Sequence, residues 1–294
     1  MAGYPKPLVI PPLALPHKQT FILLHGRGSS GEKFGPPLLD TPIRLDTTAE
    51  VLTLASAFPH ARFVFPTAAR RRATLYGRAL THQWFDNWKL DPPATDREEL
   101  QTPGLRETTA YLHDLVRAEV AALGGSAADV VLGGLSQGCA AALVAVLLWE
   151  GEPLGGFVGM CGRLPFAVRL GEQLGTGDDG GAAEADDYDP FERDGEGSDL
   201  DPPARAVHWL REELQLSSSS TRRDLGGTRV FLGHGVEDDR VSVVLGRQAS
   251  ACLTKMGTDV SWREYEGLGH WYSGDMLRDM VRFLGAMRDS GATE

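Results

Sequence analysis

Cysteine is scarce in this sequence, and long apolar runs are missing. Only three cysteines, Cys139, Cys161 and Cys252, occur among the 294 residues, at wide spacing. They are too few for a disulfide framework or a zinc-ligand pattern, and they favour a reducing compartment. No apolar stretch reaches the roughly 18 residues of a transmembrane helix. Prolines interrupt the first 20 residues, which makes them a poor signal peptide. We therefore expect a cytoplasmic protein.

The net negative charge of the chain arises from one segment. Residues 171–203 contain 12 acidic residues and one basic residue, which together account for the whole net charge of -11. Glycine, aspartate and glutamate dominate this segment, and its few apolar residues predict a disordered surface insertion. An acidic docking segment is the alternative. We expect residues 1–294 to form a single domain that carries this insertion.

Short apolar strands alternate with helical segments along the rest of the chain. The predicted strands cover about 19–26, 61–67, 129–134, 155–160, 228–235 and 258–267, and the clearest predicted helices cover 105–123, 139–149 and 274–288. This alternation predicts an α/β fold with a mostly parallel central sheet and helices on both faces. Ligands of such sheets bind beyond the carboxyl ends of the strands, where the glycine-rich turns of this chain fall.

One of these turns places a serine between a predicted strand and a predicted helix. Residues 134–138 read Gly-Leu-Ser-Gln-Gly, the G-x-S-x-G pattern of a nucleophile elbow. A sharp turn there would lift the hydroxyl of Ser136 above the edge of the sheet. The helix that follows would favour a developing negative charge at its N-terminus. The pattern therefore predicts Ser136 as a nucleophile.

A serine nucleophile needs a base, and the base needs an acid that orients it. Downstream of Ser136, His208 falls in a predicted helix and His234 precedes every candidate acid. His270 instead lies in a glycine-rich loop between the last strand and the last helix, so we predict it as the base. The candidate acids, in the loop after the preceding strand, are Glu237, Asp238 and Asp239.

The tetrahedral intermediate of acyl transfer requires backbone donors for its oxyanion. One candidate is the N–H of Gln137, directly after the serine, and the other is the N–H of Arg27 in the early loop LLHGRGSSG. We expect His25 of that loop to hold the loop by hydrogen bonds rather than to act as a base.

Taken together, these motifs resemble the phospholipase/carboxylesterase group of α/β-hydrolases, which includes the acyl-protein thioesterases. The resemblance extends from Thr20 to about Arg288, through LHGRGSSG, QWFDNW, GGLSQG, GMCGRLP, FLGHGVEDDRV and GLGHWY. It implies the α/β-hydrolase fold. It also favours Asp238 as the acid, because the family pattern H-G-x-x-D ends there. It further likens Trp84 and Phe85 to the loop that lines the family's acyl-binding groove.

Several positions depart from that family pattern. Arg27 stands where a small apolar residue is usual, Cys139 replaces a glycine and Cys161 replaces a serine. We expect both cysteines to be packing residues and the side chain of Arg27 to alter substrate choice. The run Arg70–Arg72 precedes the WFD loop and is either a solvated loop or an attractor of anionic substrates.

From these residues we expect a serine hydrolase that cleaves acyl esters or thioesters. Its substrate would be an acylated small molecule, a lipid or an S-acylated protein. No cofactor, metal or nucleic-acid partner is expected, and at most peripheral contact with a membrane. One alternative is a carboxylesterase or lysophospholipase acting on small esters. Another is a non-catalytic ligand receptor with the same fold, against which the intact order of serine, aspartate and histidine argues.

Overall fold

A seven-stranded sheet forms the centre of the fold in the computed structural model, which describes residues 3–45, 51–175, 200–217 and 227–290. The strands of the described residues are β1 (Leu8–Ile10), β2 (Gln19–Leu24), β3 (Ile43–Arg44), β4 (Val51–Leu52), β5 (Ala61–Phe65), β6 (Arg70–Ala73), β7 (Ala79–His82), β8 (Val130–Leu135), β9 (Gly156–Met160), β10 (Val230–Gly235) and β11 (Val260–Tyr265). The central sheet has the order β1-β5-β2-β8-β9-β10-β11, in which only β1 is antiparallel to its neighbour.

Helices cover both faces of this sheet. Those of the described residues are α1 (Gly31–Asp40), α2 (Leu54–Ala57), α3 (Thr102–Ala122), α4 (Gln137–Leu147), α5 (Ala167–Gln173), α6 (Pro202–Glu213), α7 (Val243–Lys255) and α8 (Gly274–Ser290). Buried side chains of α3, α4, α6 and α7 form one large apolar cluster, whereas α1, α2 and α8 contribute to a second. The mostly parallel sheet covered on both faces confirms the predicted architecture.

The best-predicted elements are those that are buried along their whole length. Every residue of β2, β8, β9 and β10 is buried, and so is every residue of α4. Strands buried on both faces read as continuous apolar runs, and a helix that is apolar all round must be covered on all sides. These elements position the site, because β8 ends directly before Ser136 and α4 begins directly after it.

Some elements carry weaker sequence signals. Helix α1 includes Pro36 and Pro37, residues that normally interrupt a helix, yet it starts at a cap in which Ser30 accepts a hydrogen bond from the N–H of Lys33 at 3.3 Å. Strand β1 lies in the proline-rich N-terminal segment at the antiparallel edge, where proline is best tolerated.

The acidic segment lies only partly within the described residues. Its first residues complete α5, and its last residues begin α6 with Asp201 as the N-cap, so both ends of the predicted insertion are helical. Residues 176–199 fall outside the described residues, so their predicted disorder and the single-domain organisation stay predictions. Among the described helices, none has the length and apolar character needed to cross a membrane.

Candidate active site

Ser136 occupies a strained turn between β8 and α4. Its backbone has φ of 57° and ψ of -121°, a conformation that side-chain-bearing residues rarely adopt. The flanking glycines are explained by the last residue of β2. A Cβ atom on Gly134 or Gly138 would lie 2.6 Å or 2.5 Å from the carbonyl oxygen of Leu24. Larger side chains would therefore push β2 away from the turn.

The structure brings three of the predicted residues into one hydrogen-bonded chain. Nε2 of His270 lies 2.8 Å from Oγ of Ser136, and Nδ1 of His270 lies 2.7 Å from Oδ2 of Asp238. The three residues come from the ends of different strands, yet they meet at the carboxyl edge of the sheet. This is the geometry in which a histidine can take a proton from a serine while a carboxylate orients the imidazole.

The carboxylate of Asp238 is buried, and its hydrogen bonds favour the charged form. Oδ1 accepts from the backbone N–H groups of Arg240 at 2.9 Å and Val241 at 2.8 Å. Burial alone would raise the pKa of Asp238. The hydrogen bonds from His234, His270 and the two backbone groups outweigh that effect and hold the pKa far below its usual range. Glu237 and Asp239, the other candidate acids, are exposed.

His234 is a neighbour of the acid that sequence reasoning missed. It is 1% exposed, and its Nε2 lies 2.8 Å from the carbonyl oxygen of Val241 and 3.2 Å from Oδ2 of Asp238. The imidazole beside Ser136 is that of His270 and not that of His234. One feature of the sequence could have indicated this contact: His234 lies near the end of β10, only four residues before Asp238.

His25 and Trp84 hold the loop after β2 from below. Nδ1 of His25 donates to the carbonyl oxygen of Gly26 at 2.6 Å, and its Nε2 accepts from the N–H of Ala68 at 3.0 Å. Burial lowers the pKa of His25 to about 4, so the imidazole is neutral near pH 7. These contacts confirm the predicted structural role of His25. Trp84 is fully buried and donates from Nε1 to the carbonyl oxygen of His25 at 2.8 Å.

Of the two residues predicted to bind substrate, Phe85 lines the cavity beside Ser136, whereas Trp84 is buried and does not line it. The indole of Trp84 is used below the loop because its N–H must find an acceptor when buried. Gln137 ties this loop to α4, a role absent from the sequence reasoning. Its Oε1 accepts from the N–H of Trp84 at 3.0 Å, and its Nε2 donates to the carbonyl oxygen of Phe85 at 2.8 Å.

A cavity of about 540 Å³ opens beside Ser136 and His270. This volume suits a small-molecule ligand. Apolar side chains from several loops form much of its wall: Phe34, Leu75, Phe85, Leu90, Leu135, Ala140, Val241 and Trp271. Three arginines also line it, namely Arg27, Arg163 and Arg240. The last two were not predicted as site residues.

The arginine run before the WFD loop lies on the hairpin of β6 and β7, and its members do not line the cavity. Arg71 is engaged by Glu107 at 2.6 Å and by the hydroxyl of Tyr4 at 3.2 Å. Arg72 donates to the carbonyl oxygen of Arg78 at 3.3 Å. The hairpin instead contributes Leu75 and Tyr76 to the wall.

The three cysteines are buried and unpaired. Burial raises the pKa of the Cys161 thiol to about 12, and this thiol donates to the carbonyl oxygen of Trp271 at 3.1 Å. These surroundings fit packing residues rather than reactive thiols. Among the residues that the structure describes, no group of three or more histidines, cysteines or acids is arranged to hold a metal ion.

The architecture that positions this site is the α/β-hydrolase fold. The crystal structure of acyl-protein thioesterase 2 from Zea mays is similar to 97% of this chain and 99% of its own, with a TM-score of 0.61. The two sequences are 22% identical, so this likeness shows the fold. The enzyme class rests instead on the family and the relatives described next, which indicate a carboxylic ester or thioester hydrolase.

The chain belongs to the phospholipase/carboxylesterase family, whose model matches residues 6–176 and 209–288. Acyl-protein thioesterase 1 of Yarrowia lipolytica is 26% identical over 284 residues, which is 95% of this chain and 96% of that protein. Carboxylesterase SOBER1 of Arabidopsis thaliana is 25% identical over 261 residues, 88% of this chain and 87% of its own. The gap in the family match contains most of the acidic segment.

Proposed function

We propose that the protein is a serine esterase or thioesterase in which Ser136 attacks the acyl carbonyl, His270 acts as the base and Asp238 orients His270. One observation carries the proposal: the imidazole of His270 lies within hydrogen-bond distance of both Ser136 and Asp238, beside a cavity large enough for a substrate. Family membership supports the same chemistry.

The first half of the reaction forms an acyl-enzyme. Nε2 of His270 takes the proton of the Ser136 hydroxyl as Oγ bonds to the acyl carbon. His270 then gives that proton to the departing alkoxide or thiolate. The ionised carboxylate of Asp238 stabilises the imidazolium between these transfers, and its low pKa keeps it charged throughout. In the second half, His270 activates a water molecule that releases the acid and restores Ser136.

The backbone N–H groups of Gln137 and Arg27 are the proposed oxyanion donors. Gln137 is the first residue of α4, so its N–H has no acceptor within the helix. The loop that carries Arg27 abuts the serine, since a Cβ built on Gly26 would lie 3.5 Å from Cβ of Ser136. Each donor of this kind typically lowers the activation free energy by about 3 to 4 kcal/mol.

The proposed substrates are acyl thioesters or esters, with acyl-protein thioesterase activity as the preferred assignment. Relatives that are acyl-protein thioesterases support this activity, and a carboxylesterase among the relatives supports the alternative, an enzyme acting on small esters or lysophospholipids. We propose a cytoplasmic setting and, at most, peripheral membrane contact, because three unpaired cysteines suit a reducing compartment.

The test is a panel of 4-nitrophenyl esters and acyl thioesters of graded chain length, assayed with the wild type and with Ser136→Ala. We expect hydrolysis that depends on Ser136, with a burst of the leaving group for substrates whose acyl-enzyme is hydrolysed more slowly than it forms. A fluorophosphonate probe should label the wild type only. If Ser136→Ala retains more than about a tenth of the wild-type rate of hydrolysis, Ser136 is not the nucleophile. Binding of esters without any hydrolysis would instead favour a ligand receptor.

A further inference from the structure

The cavity beside Ser136 is lined by more positive than negative side chains. Apart from His270, its charged lining residues are Arg27, Arg163, Arg240 and Asp239. Asp239 and Arg240 are exposed, whereas Arg163 is buried and Arg27 is half-buried. Removing a guanidinium group from water is costly unless an anion compensates it. A cavity that held only an apolar acyl chain would provide no such anion.

Arg163 is 5% exposed, and its hydrogen-bond partner is neutral. Its Nη2 donates to Oε1 of Gln101 at 2.6 Å, and its guanidinium lies 5.8 Å from the centre of the Phe85 ring. The carboxylate that attracts it, Glu98, is in contact with Nε of Arg169 at 3.4 Å. Burial lowers the pKa of Arg163 to about 10 despite that attraction, but the group remains charged near pH 7.

Arg27 has a buried donor without an acceptor. Its Nε has no hydrogen-bond partner among the described residues, and its guanidinium lies 5.7 Å from the centre of the Tyr76 ring. The charge of Arg27 is also one of the influences that lower the pKa of Arg163. Within the described part of the chain, neither guanidinium has a carboxylate at ion-pair distance. The two cations therefore line the cavity with no carboxylate of the described residues in contact, although Asp86 and Tyr76 attract Arg27 and Glu98 attracts Arg163.

We propose that Arg27 and Arg163 together bind a carboxylate of the substrate, so that the enzyme prefers esters or thioesters carrying that group over their uncharged counterparts. The inference rests on the proposed function of Ser136. Guanidinium groups suit this task because they bind carboxylates through charge-assisted hydrogen bonds of fixed geometry. The apolar wall strengthens such bonds by excluding water.

The carboxylate can belong to the acyl group or to the leaving group, and two substrate pairs distinguish these sources. The first pair is the 4-nitrophenyl monoester of adipic acid and its methyl ester. The second pair is 4-hexanoyloxybenzoate and its methyl ester. In the pair that carries the carboxylate on the correct side of the ester, we expect kcat/KM for the anionic member to exceed that of the neutral member by about tenfold to a hundredfold. This is the effect of one or two charge-assisted hydrogen bonds.

Variants of the two arginines test whether the preference arises in the cavity. Arg163→Gln and Arg27→Gln, the latter with its backbone N–H intact, should bring the anionic-to-neutral ratio close to one, and Arg163→Lys should retain part of it. Arg72→Gln is the matched control, because Arg72 is exposed on the β6–β7 hairpin outside the cavity. It should leave the ratio unchanged. An equal fall of the ratio in Arg72→Gln would mean that positive charge anywhere on the surface attracts the anionic substrates, and it would overturn the proposal.

Failure of this inference is distinguishable from failure of the proposed function. If the neutral esters are hydrolysed in a Ser136-dependent way but neither pair shows a preference, only the carboxylate site is wrong. If the wild type shows no Ser136-dependent hydrolysis of any ester, the proposed function itself is refuted. Calorimetric titration with adipate, against adipamide as the uncharged control without an ester bond, tests the carboxylate site without turnover and without any variant. Equal binding of the two compounds, or no binding of adipate, overturns the site.

Discussion

At the scale of single residues, the acid loop distinguishes two neighbouring aspartates by their surroundings. Asp238 is buried and accepts hydrogen bonds from His270 and from two backbone N–H groups, whereas Asp239 is exposed. Adjacent residues of a tight loop point in different directions, so only one of the pair can face His270. The family resemblance already favoured Asp238, and the geometry gives the physical reason for that choice.

Asp238→Asn and Asp239→Asn form a matched pair with opposite expected outcomes. Asp238→Asn should lower kcat by about 10⁴, because an amide cannot hold the imidazole in the reactive tautomer or stabilise its charge. Asp239→Asn should leave kcat within a few-fold of the wild type. Steady-state kinetics with a 4-nitrophenyl ester would measure both. A larger loss of kcat in Asp239→Asn than in Asp238→Asn would mean that Asp239 is the acid.

His25 predicts a dependence of stability on pH. Its pKa is about 4 in the folded protein because burial disfavours the charged form, and an unfolded histidine titrates near 6.5. Between these values the unfolded chain binds the extra proton, so stability should fall as pH falls from about 6.5 to 4. The shift corresponds to roughly 3 kcal/mol. The free energy of unfolding, measured with denaturant across this range, should depend less steeply on pH in His25→Gln than in the wild type, whatever the absolute stability of the variant. Identical slopes would contradict a neutral buried His25.

At the scale of elements, the active-site turn depends on how closely α4 and β8 approach β2. The carbonyl oxygen of Leu24 occupies the space that a side chain at Gly134 or Gly138 would need. The G-x-S-x-G pattern therefore encodes a contact between three elements as well as a turn. Its glycines are required by the end of a strand that lies more than 100 residues earlier in the chain.

Gly138→Ala should damage the turn, and Gly285→Ala provides the control. A Cβ at position 138 would lie 2.5 Å from the carbonyl oxygen of Leu24, whereas a Cβ at position 285 meets nothing within 4 Å. We expect Gly138→Ala to cost about 1 to 3 kcal/mol by overpacking and to reduce kcat strongly, because Ser136 moves with the turn. Gly285→Ala, within α8, should be neutral or slightly stabilising. Wild-type kcat in Gly138→Ala would show that β2 yields without moving the serine.

At the scale of the whole molecule, sequence reasoning was most successful where burial is complete. The strands and helix around Ser136 are apolar along their length, and the motif order identified the residues that now meet at the sheet edge. It did not identify Arg163, whose place in the cavity depends on which loops pack together, and it weighed His234 only as a base and not as a neighbour of Asp238. A loop motif also does not reveal which of two adjacent aromatic rings faces the cavity, and here Phe85 lines it whereas Trp84 is buried.

The acidic segment provides a prediction at the same scale. Helices α5 and α6 on either side of residues 176–199 are tied together, since the guanidinium of Arg205 donates to the carbonyl oxygen of Gln173 at 2.9 Å and 2.8 Å. Leu170 and Leu210 also lie in the same buried cluster. The ends of the segment are therefore held by the body of the protein, and a short linker should suffice to join them.

Replacing residues 176–199 by a short Gly/Ser linker should leave the fold and the hydrolysis of small neutral esters intact. A shorter loop lowers the entropy cost of closure by only about 1 kcal/mol or less, so the melting temperature should change by a few degrees. A Gly/Ser segment of the original length is the control that separates loop length from the loss of acidic charge. Circular dichroism melts and kcat/KM for a 4-nitrophenyl ester would measure both properties. Loss of the cooperative melt in both variants would show that the acidic segment belongs to the folded core, and the prediction of a surface insertion would then be wrong.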